Sequence, residues 1–143
     1  QKNWSIKQAA KELNYDRINL SKMLSGSQNF RIKTLVKFAH FFDVPVFLLF
    51  NRLFEDEQYR KDFSFVDEDY MYVFRVNFKA TSVKQSLIDL DSTTVSHIIN
   101  GRRNNPTIST LHQFAEYSNT SLSELFKTEI DKIIIKQKEE DDI

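Results

Sequence analysis

Two stretches of the chain set their polar side chains in the same order. Residues 18–38 read INLSKMLSGSQNFRIKTLVKF and residues 93–114 read TTVSHIINGRRNNPTISTLHQF. In each, a serine (Ser21, Ser96) stands five positions before a glycine (Gly26, Gly101). A polar loop then leads to Thr-Leu and, three residues on, to Phe. Hydroxyl, amide and guanidinium groups of this kind exchange hydrogen bonds and neutralise a polyanion. Bond-making chemistry has no such support. No carboxylate pair or His–Asp–Ser set recurs at useful spacing, and there is neither a Gly-rich phosphate loop nor a Cys/His metal cluster. With no cysteine in the chain, disulfides and thiolate zinc sites are excluded. The expectation is a protein that binds rather than catalyses, with no cofactor and no metal.

Charge narrows the partner. The 143 residues balance 20 Lys and Arg against 20 Asp and Glu, but unevenly. Residues 1–54 hold nine basic side chains and three acidic ones, whereas residues 55–79 hold four and seven. A basic first third suits a polyanion, although a solvated helical surface would look the same. No signal peptide and no long uncharged apolar run is visible, which predicts a cytoplasmic protein that does not touch a membrane. The first residue is Gln rather than Met, which admits a longer translated product.

The elements that must position these groups read as helices. Only two Gly and two Pro occur against 13 Phe, too few turn formers for an all-β fold. With Gly26 set on Gly101, Asp16 falls on Asp91, Ser21 on Ser96, Met23 on Ile98 and Leu24 on Ile99. After one inserted residue, Ile32 meets Ile108, Leu35 meets Leu111, Phe38 meets Phe114, Ala39 meets Ala115 and Phe50 meets Phe126. Self-similarity over about 45 residues predicts a duplicated unit. In the first copy Ser5 caps a helix over 6–13, and Asp16 caps a second with Leu20, Met23 and Leu24 inward. Gly26 closes that helix, a third spans 32–42, and Pro45 opens a last one through Phe54. In the second copy Ser82 caps 83–89, Asp91 caps 92–100, Pro106-Thr107 opens 108–118, and Ser121–Glu124 forms a capping box. Residues 70–79 fit a helical face through Tyr70, Val73, Phe74 and Phe78. They also fit a short strand in which Phe74, Val76 and Phe78 alternate with Arg75, Asn77 and Lys79. Helix is favoured, because a compact helical domain needs one there to cover its core.

This order of helix, short turn, helix, Gly, polar loop and helix resembles the helix-turn-helix domain of the lambda-repressor, Cro and Xre type. The resemblance covers about two thirds of the chain and appears twice. It implies an all-α fold of two tandem domains: 1–54, with the family's first helix truncated or missing behind "QKNW", and 70–126. Residues 55–69 form an acidic, aromatic linker, and 127–143 a C-terminal helix and tail. One departure is Lys84-Gln85 where the first copy has Ala9-Ala10, which points to a register shift or a looser helix.

The resemblance also implies a partner, double-stranded DNA, with the helix after the turn in the major groove. It assigns Arg17, Asn19, Ser21 and Lys22 of the first copy to base edges. In the second copy it assigns Ser92, Thr93, Thr94, Ser96 and His97. An Arg suits guanine, an Asn adenine, and a Thr methyl thymine. Ile18 at the head of such a helix suits a thymine methyl or a protein. Lys7, Arg31 and Lys33, and Asn100, Arg102, Arg103 and Asn104, are expected on phosphates, as are the helix N-termini at Ser5 and Ser82. Plain helix surface is the alternative for each charged residue, and back-bonding within the helix for the two serines. His40 and His112 are expected to be half-buried structural side chains.

Apolar residues outside the motif predict contacts with protein. Phe47 and Leu48 stand where the second copy has Ser123 and Glu124, and should pack on the second copy or on another subunit. Ile130, Ile133 and Ile134 recur at helical spacing and should pack on their own domain or form a dimer contact. The expected function is a bacterial or phage transcriptional regulator of the Xre family, for example a repressor. The alternative is a protein-interaction module on the same fold, such as an antitoxin.

Overall fold

The computed structural model describes residues 30–51, 56–84 and 87–141. Among them the chain forms seven α-helices and one 3-10 helix. They are α1 (Ile32–Phe42), the 3-10 helix (Val46–Phe50), α2 (Glu57–Arg60), α3 (Tyr70–Lys79), α4 (Ser92–Ile99), α5 (Ile108–Tyr117), α6 (Leu122–Leu125) and α7 (Glu129–Asp141). The fold is all-α. Extended pairing among the described residues is confined to one antiparallel bridge, Arg31 with Thr107.

Helical periodicity builds α1. Ile32, Leu35, Phe38, Ala39 and Phe42 fall on one face and are all buried. The helix ends at Asp43, whose backbone is left-handed at φ 57°. Val44 N–H then donates to Ala39 O at 3.0 Å. The end of α5 has the same geometry: Asn119 is left-handed at φ 53°, and Thr120 N–H donates to Ala115 O at 3.0 Å. Asp and Asn tolerate that region better than other side chains. Past each turn the chain enters a short helical segment, the 3-10 helix after α1 and α6 after α5. Thr107 caps α5 through its hydroxyl on Thr110 N–H, and Ser121 caps α6 on Glu124 N–H, as the sequence predicts.

The strand reading of 70–79 is overturned: the segment is helix α3. Asp69 settles its start, with a carboxylate accepting Tyr72 N–H at 3.1 Å. Tyr70, Met71, Phe74 and Phe78 face inward, and Val76, which the strand reading would bury, is 46% exposed. The expectation for Ser82 is also corrected. Its φ is 62° and its N–H donates to Lys79 O, so it finishes α3 instead of opening a new helix. In the stretch 83–90 no described residue is α-helical; Leu87 is 3-10 helical, its N–H on Lys84 O, and 88–90 are bends.

One hydrophobic core joins the elements. Phe74 packs on Phe114 and Phe126 at ring-centroid distances of 5.7 and 5.5 Å, and Phe126 stacks on Phe50 at 5.6 Å. Burying each such ring contributes about 2–3 kcal/mol. Phe47 and Leu48 are fully buried inside this core, against the chain's own residues. The acidic stretch before α3 is drawn in too. Phe63 meets Phe47 at 5.5 Å, Phe65 stacks on His40 at 4.8 Å, and Phe65 N–H donates to Asp43 Oδ1. His40 is nevertheless exposed, and so is His112, which pairs with Glu116 at 3.0 Å. Neither is half-buried, because both point off the outer faces of α1 and α5.

Helix α7 opens with a reciprocal cap. Asp131 accepts Thr128 N–H at 2.9 Å, and Thr128 Oγ1 accepts Asp131 N–H at 3.1 Å. Burial pushes the Asp131 carboxyl above its ordinary range, while the bonds from Thr128 oppose that shift. Ile134 packs against the core, whereas Ile130 and Ile133 stay 48% and 57% exposed. Lys138 bonds Asp62 and lies over the Tyr59 ring, holding the far end of α7 to α2 and the turn after it. No helix among the described residues is long and apolar enough to cross a membrane.

Candidate nucleic-acid interface

Helix α4 carries the reading positions assigned from 92–97. Asp91 starts it by accepting Thr94 N–H at 3.1 Å, and Val95, Ile98 and Ile99 anchor its inner face. This anchoring turns Ser92, Thr93 and Ser96 outward, exposed, with Thr94 and His97 at the margin. The outer face is thus hydroxyl-rich and carries no fixed charge of its own. Such groups accept or donate to any base edge and discriminate weakly by themselves. Two of them are partly engaged: Ser96 Oγ accepts from Asn100 at 3.3 Å, and Thr94 Oγ1 from Arg103 at 3.4 Å.

The loop after α4 supplies the cations. Asn100 ends the helix and Gly101 follows at φ 88°, a left-handed turn for which glycine is suited. Arg102 N–H donates to Asn100 Oδ1, Arg103 N–H to His97 O, and Asn104 to Gly101 O. The loop is therefore held by its own polar groups, and the side chains of Arg102 and Arg103 remain exposed at its edge.

Arg31 and Lys33, assigned to phosphates from the other half of the sequence, arrive at this same loop. Arg31 donates to Asn105 O at 2.7 Å, and Lys33 N–H donates to Asn105 Oδ1 at 3.1 Å. The flanking bonds Ile32 N–H to Pro106 O (3.0 Å) and Ile108 N–H to Phe30 O (2.7 Å) complete the join. The structure thus gathers Arg31, Lys33, Arg102 and Arg103 around one loop. Glu68 and Asp69, on the wall of a shallow cavity of about 380 Å³ beside Lys33 and Asn104, offset part of that charge. Lys7, Arg17, Asn19, Ser21 and Lys22 lie outside the described residues, as do Ser5 and Ile18.

Two residues that sequence reasoning passed over organise the site. Arg75 on α3 donates from Nε to Ile98 O at 2.7 Å and from its terminal nitrogen to Asn104 Oδ1. A cation at the C-terminal carbonyls of α4 is favourably placed, and it fixes the helix to the loop. Asn105 caps α1 from across the chain, where Arg31, the residue at the N-cap, makes no side-chain cap of its own. Arg75 sits one position off the apolar stripe of its helix. Asn105 reads as ordinary loop, and nothing local marks either role. Among the described residues, no group of three or more His, Asp or Glu could hold a metal.

A helix-turn-helix family model matches residues 1–49, about a third of the chain. No curated protein and no solved structure matches.

Proposed function

We propose that the chain is a sequence-specific double-stranded DNA-binding transcriptional regulator of bacterial or phage type, read through two tandem helix-turn-helix copies. The observation that carries this reading is the helix-turn-helix match over residues 1–49, the basic third of the chain, which contains Lys7, Arg17, Asn19, Ser21 and Lys22. The second copy is supported by α4, α5 and α6, with their hydroxyl-rich outer face and the Arg102-Arg103 loop. Arg17 and Asn19 would supply bidentate base contacts. Lys7, Arg31, Lys33, Arg102 and Arg103 would hold phosphates and set register without reading sequence. The working compartment would be the cytoplasm, where the genome of such an organism is found.

Enrichment of a random duplex pool on the purified protein, at near-physiological salt, tests the proposal. A recovered motif that Arg17→Ala weakens is expected. Recovery of no motif contradicts it.

One observation favours a second reading, a module that binds another protein in the manner of an antitoxin. Tyr72, Val76, Ile130 and Ile133 are 62, 46, 48 and 57% exposed, and the first three border one groove between α3 and α7. Co-purification with a fixed partner, together with failure to bind duplex DNA, would decide for it.

A further inference from the structure

We infer that the chain holds the counterpart segments 30–50 and 106–126 across an internal two-fold axis, so that a single protomer addresses duplex DNA whose two half-sites run in opposite directions. The inference rests on the DNA-binding reading above and comes from which residues meet. The repeat register that sets Ile32 on Ile108 also sets Arg31 on Thr107, Phe47 on Ser123 and Phe50 on Phe126. Each of these three counterpart pairs is in contact. Arg31 and Thr107 form the antiparallel bridge. Ser123 Oγ donates to Phe47 O at 3.2 Å. The rings of Phe50 and Phe126 stack with centroids 5.6 Å apart. Exchanging the copies turns the Ile32–Pro106 hydrogen bond into the Ile108–Phe30 bond, and both are present.

Contacts between like positions mark an isologous, two-fold interface. A head-to-tail arrangement would set the end of one copy on the start of the next, and no residue would face its own counterpart. Each reading segment, 17–24 or 92–99, stands just before one of the symmetric parts in sequence. Reading segments that followed the axis of the parts they precede would match half-sites of opposite polarity, as the symmetry of paired half-sites requires. The half-sites are nonetheless unlike in sequence. Arg17, Asn19 and Lys22 stand opposite Ser92, Thr94 and His97 in the repeat, so the protomer has one orientation on its site. The surface at the axis is consumed within the chain, since Phe47 and Leu48 are fully buried there. A second protomer has no place on it.

The test uses the full chain and the duplex it enriches. Reversing one half-site in place is expected to weaken binding about tenfold or more, the cost of one or two lost base contacts. Light scattering is expected to give one chain per duplex. Half-sites in the same orientation, a lone half-site, or two chains per duplex would each overturn the inference. No enrichment would overturn it together with the DNA reading. An Arg31→Cys/Thr107→Cys variant then tells which premise failed. The chain has no cysteine of its own. Residues opposed without mutual hydrogen bonds in an antiparallel pair lie about 4.5 Å apart at Cα, within disulfide reach. An intrachain disulfide would keep the axis and leave only the DNA reading broken. Its failure to form under oxidising conditions would remove the axis as well.

Discussion

Residues 30–50 and 106–126 run through the same order of helix, left-handed turn and short helical segment, the last being 3-10 in one and α in the other. What they share is what shapes the chain. Leu35, Phe38 and Ala39 match Leu111, Phe114 and Ala115 in the core. Asp43 and Asn119 make the same left-handed turn. At the join Phe50 and Phe126 are alike, but other counterparts differ. The Ser123 hydroxyl donates to the main-chain oxygen of Phe47, and Thr107 caps its own helix while α1 takes its cap from Asn105, just ahead of the other segment. The buried Phe47 ring packs on Phe63, while its main-chain oxygen accepts the Ser123 hydroxyl, so the two counterpart positions play different parts at the join. A repeat can therefore keep its fold-defining positions and still make its two halves unequal partners.

The two segments depend on each other most at Phe47. Phe47→Ser gives the first segment the second segment's residue and leaves a cavity against Phe63 and α6. The expected loss is about 3–5 kcal/mol, read as a lower urea midpoint with an unchanged slope. A loss below about 1 kcal/mol would mean that the segments do not depend on this contact.

A smaller effect sharpens the same comparison at the two left-handed turns. Glycine relieves the backbone equally at both, but Asp43 also accepts Phe65 N–H at 3.0 Å. Asp43→Gly is therefore expected to destabilise by about 1–2 kcal/mol, as for a lost bond to a charged acceptor. Asn119→Gly should stay within about 0.5 kcal/mol of the parent, as surface changes do. Equal effects in thermal unfolding would show that the Asp43–Phe65 bond contributes nothing.

Local chemistry made much of this legible in the sequence. The apolar stripe of α1, the caps at Asp91, Thr107 and Ser121, and the glycine turn at 101 each depend on residues within four positions of one another. Where two local signals competed, the sequence favoured helix but kept a strand as the alternative: Phe74, Val76 and Phe78 satisfy a period of two, and the Asp69 cap is what settles the helix. Ser82 misled because a serine suits a helix start by type, yet here it occupies the turn that ends α3. His40 and His112 misled because lying on a helix away from the reading face does not bury a side chain, and helix phase leaves both exposed. The roles of Arg75 and Asn105, and the meeting of counterpart residues, depend on contacts across 23 to 76 positions, which no local pattern encodes.

The most direct test of the DNA-binding account is the affinity of the intact chain for duplex DNA measured as salt is raised. Five cationic side chains are assigned to phosphates: Lys7, Arg31, Lys33, Arg102 and Arg103. At roughly 0.9 counterions released per phosphate, log K should fall with log salt at a slope near about −4 to −5. A slope near zero, or no binding at low salt, would contradict the account and leave the exposed apolar groove of α3 and α7 as the functional surface.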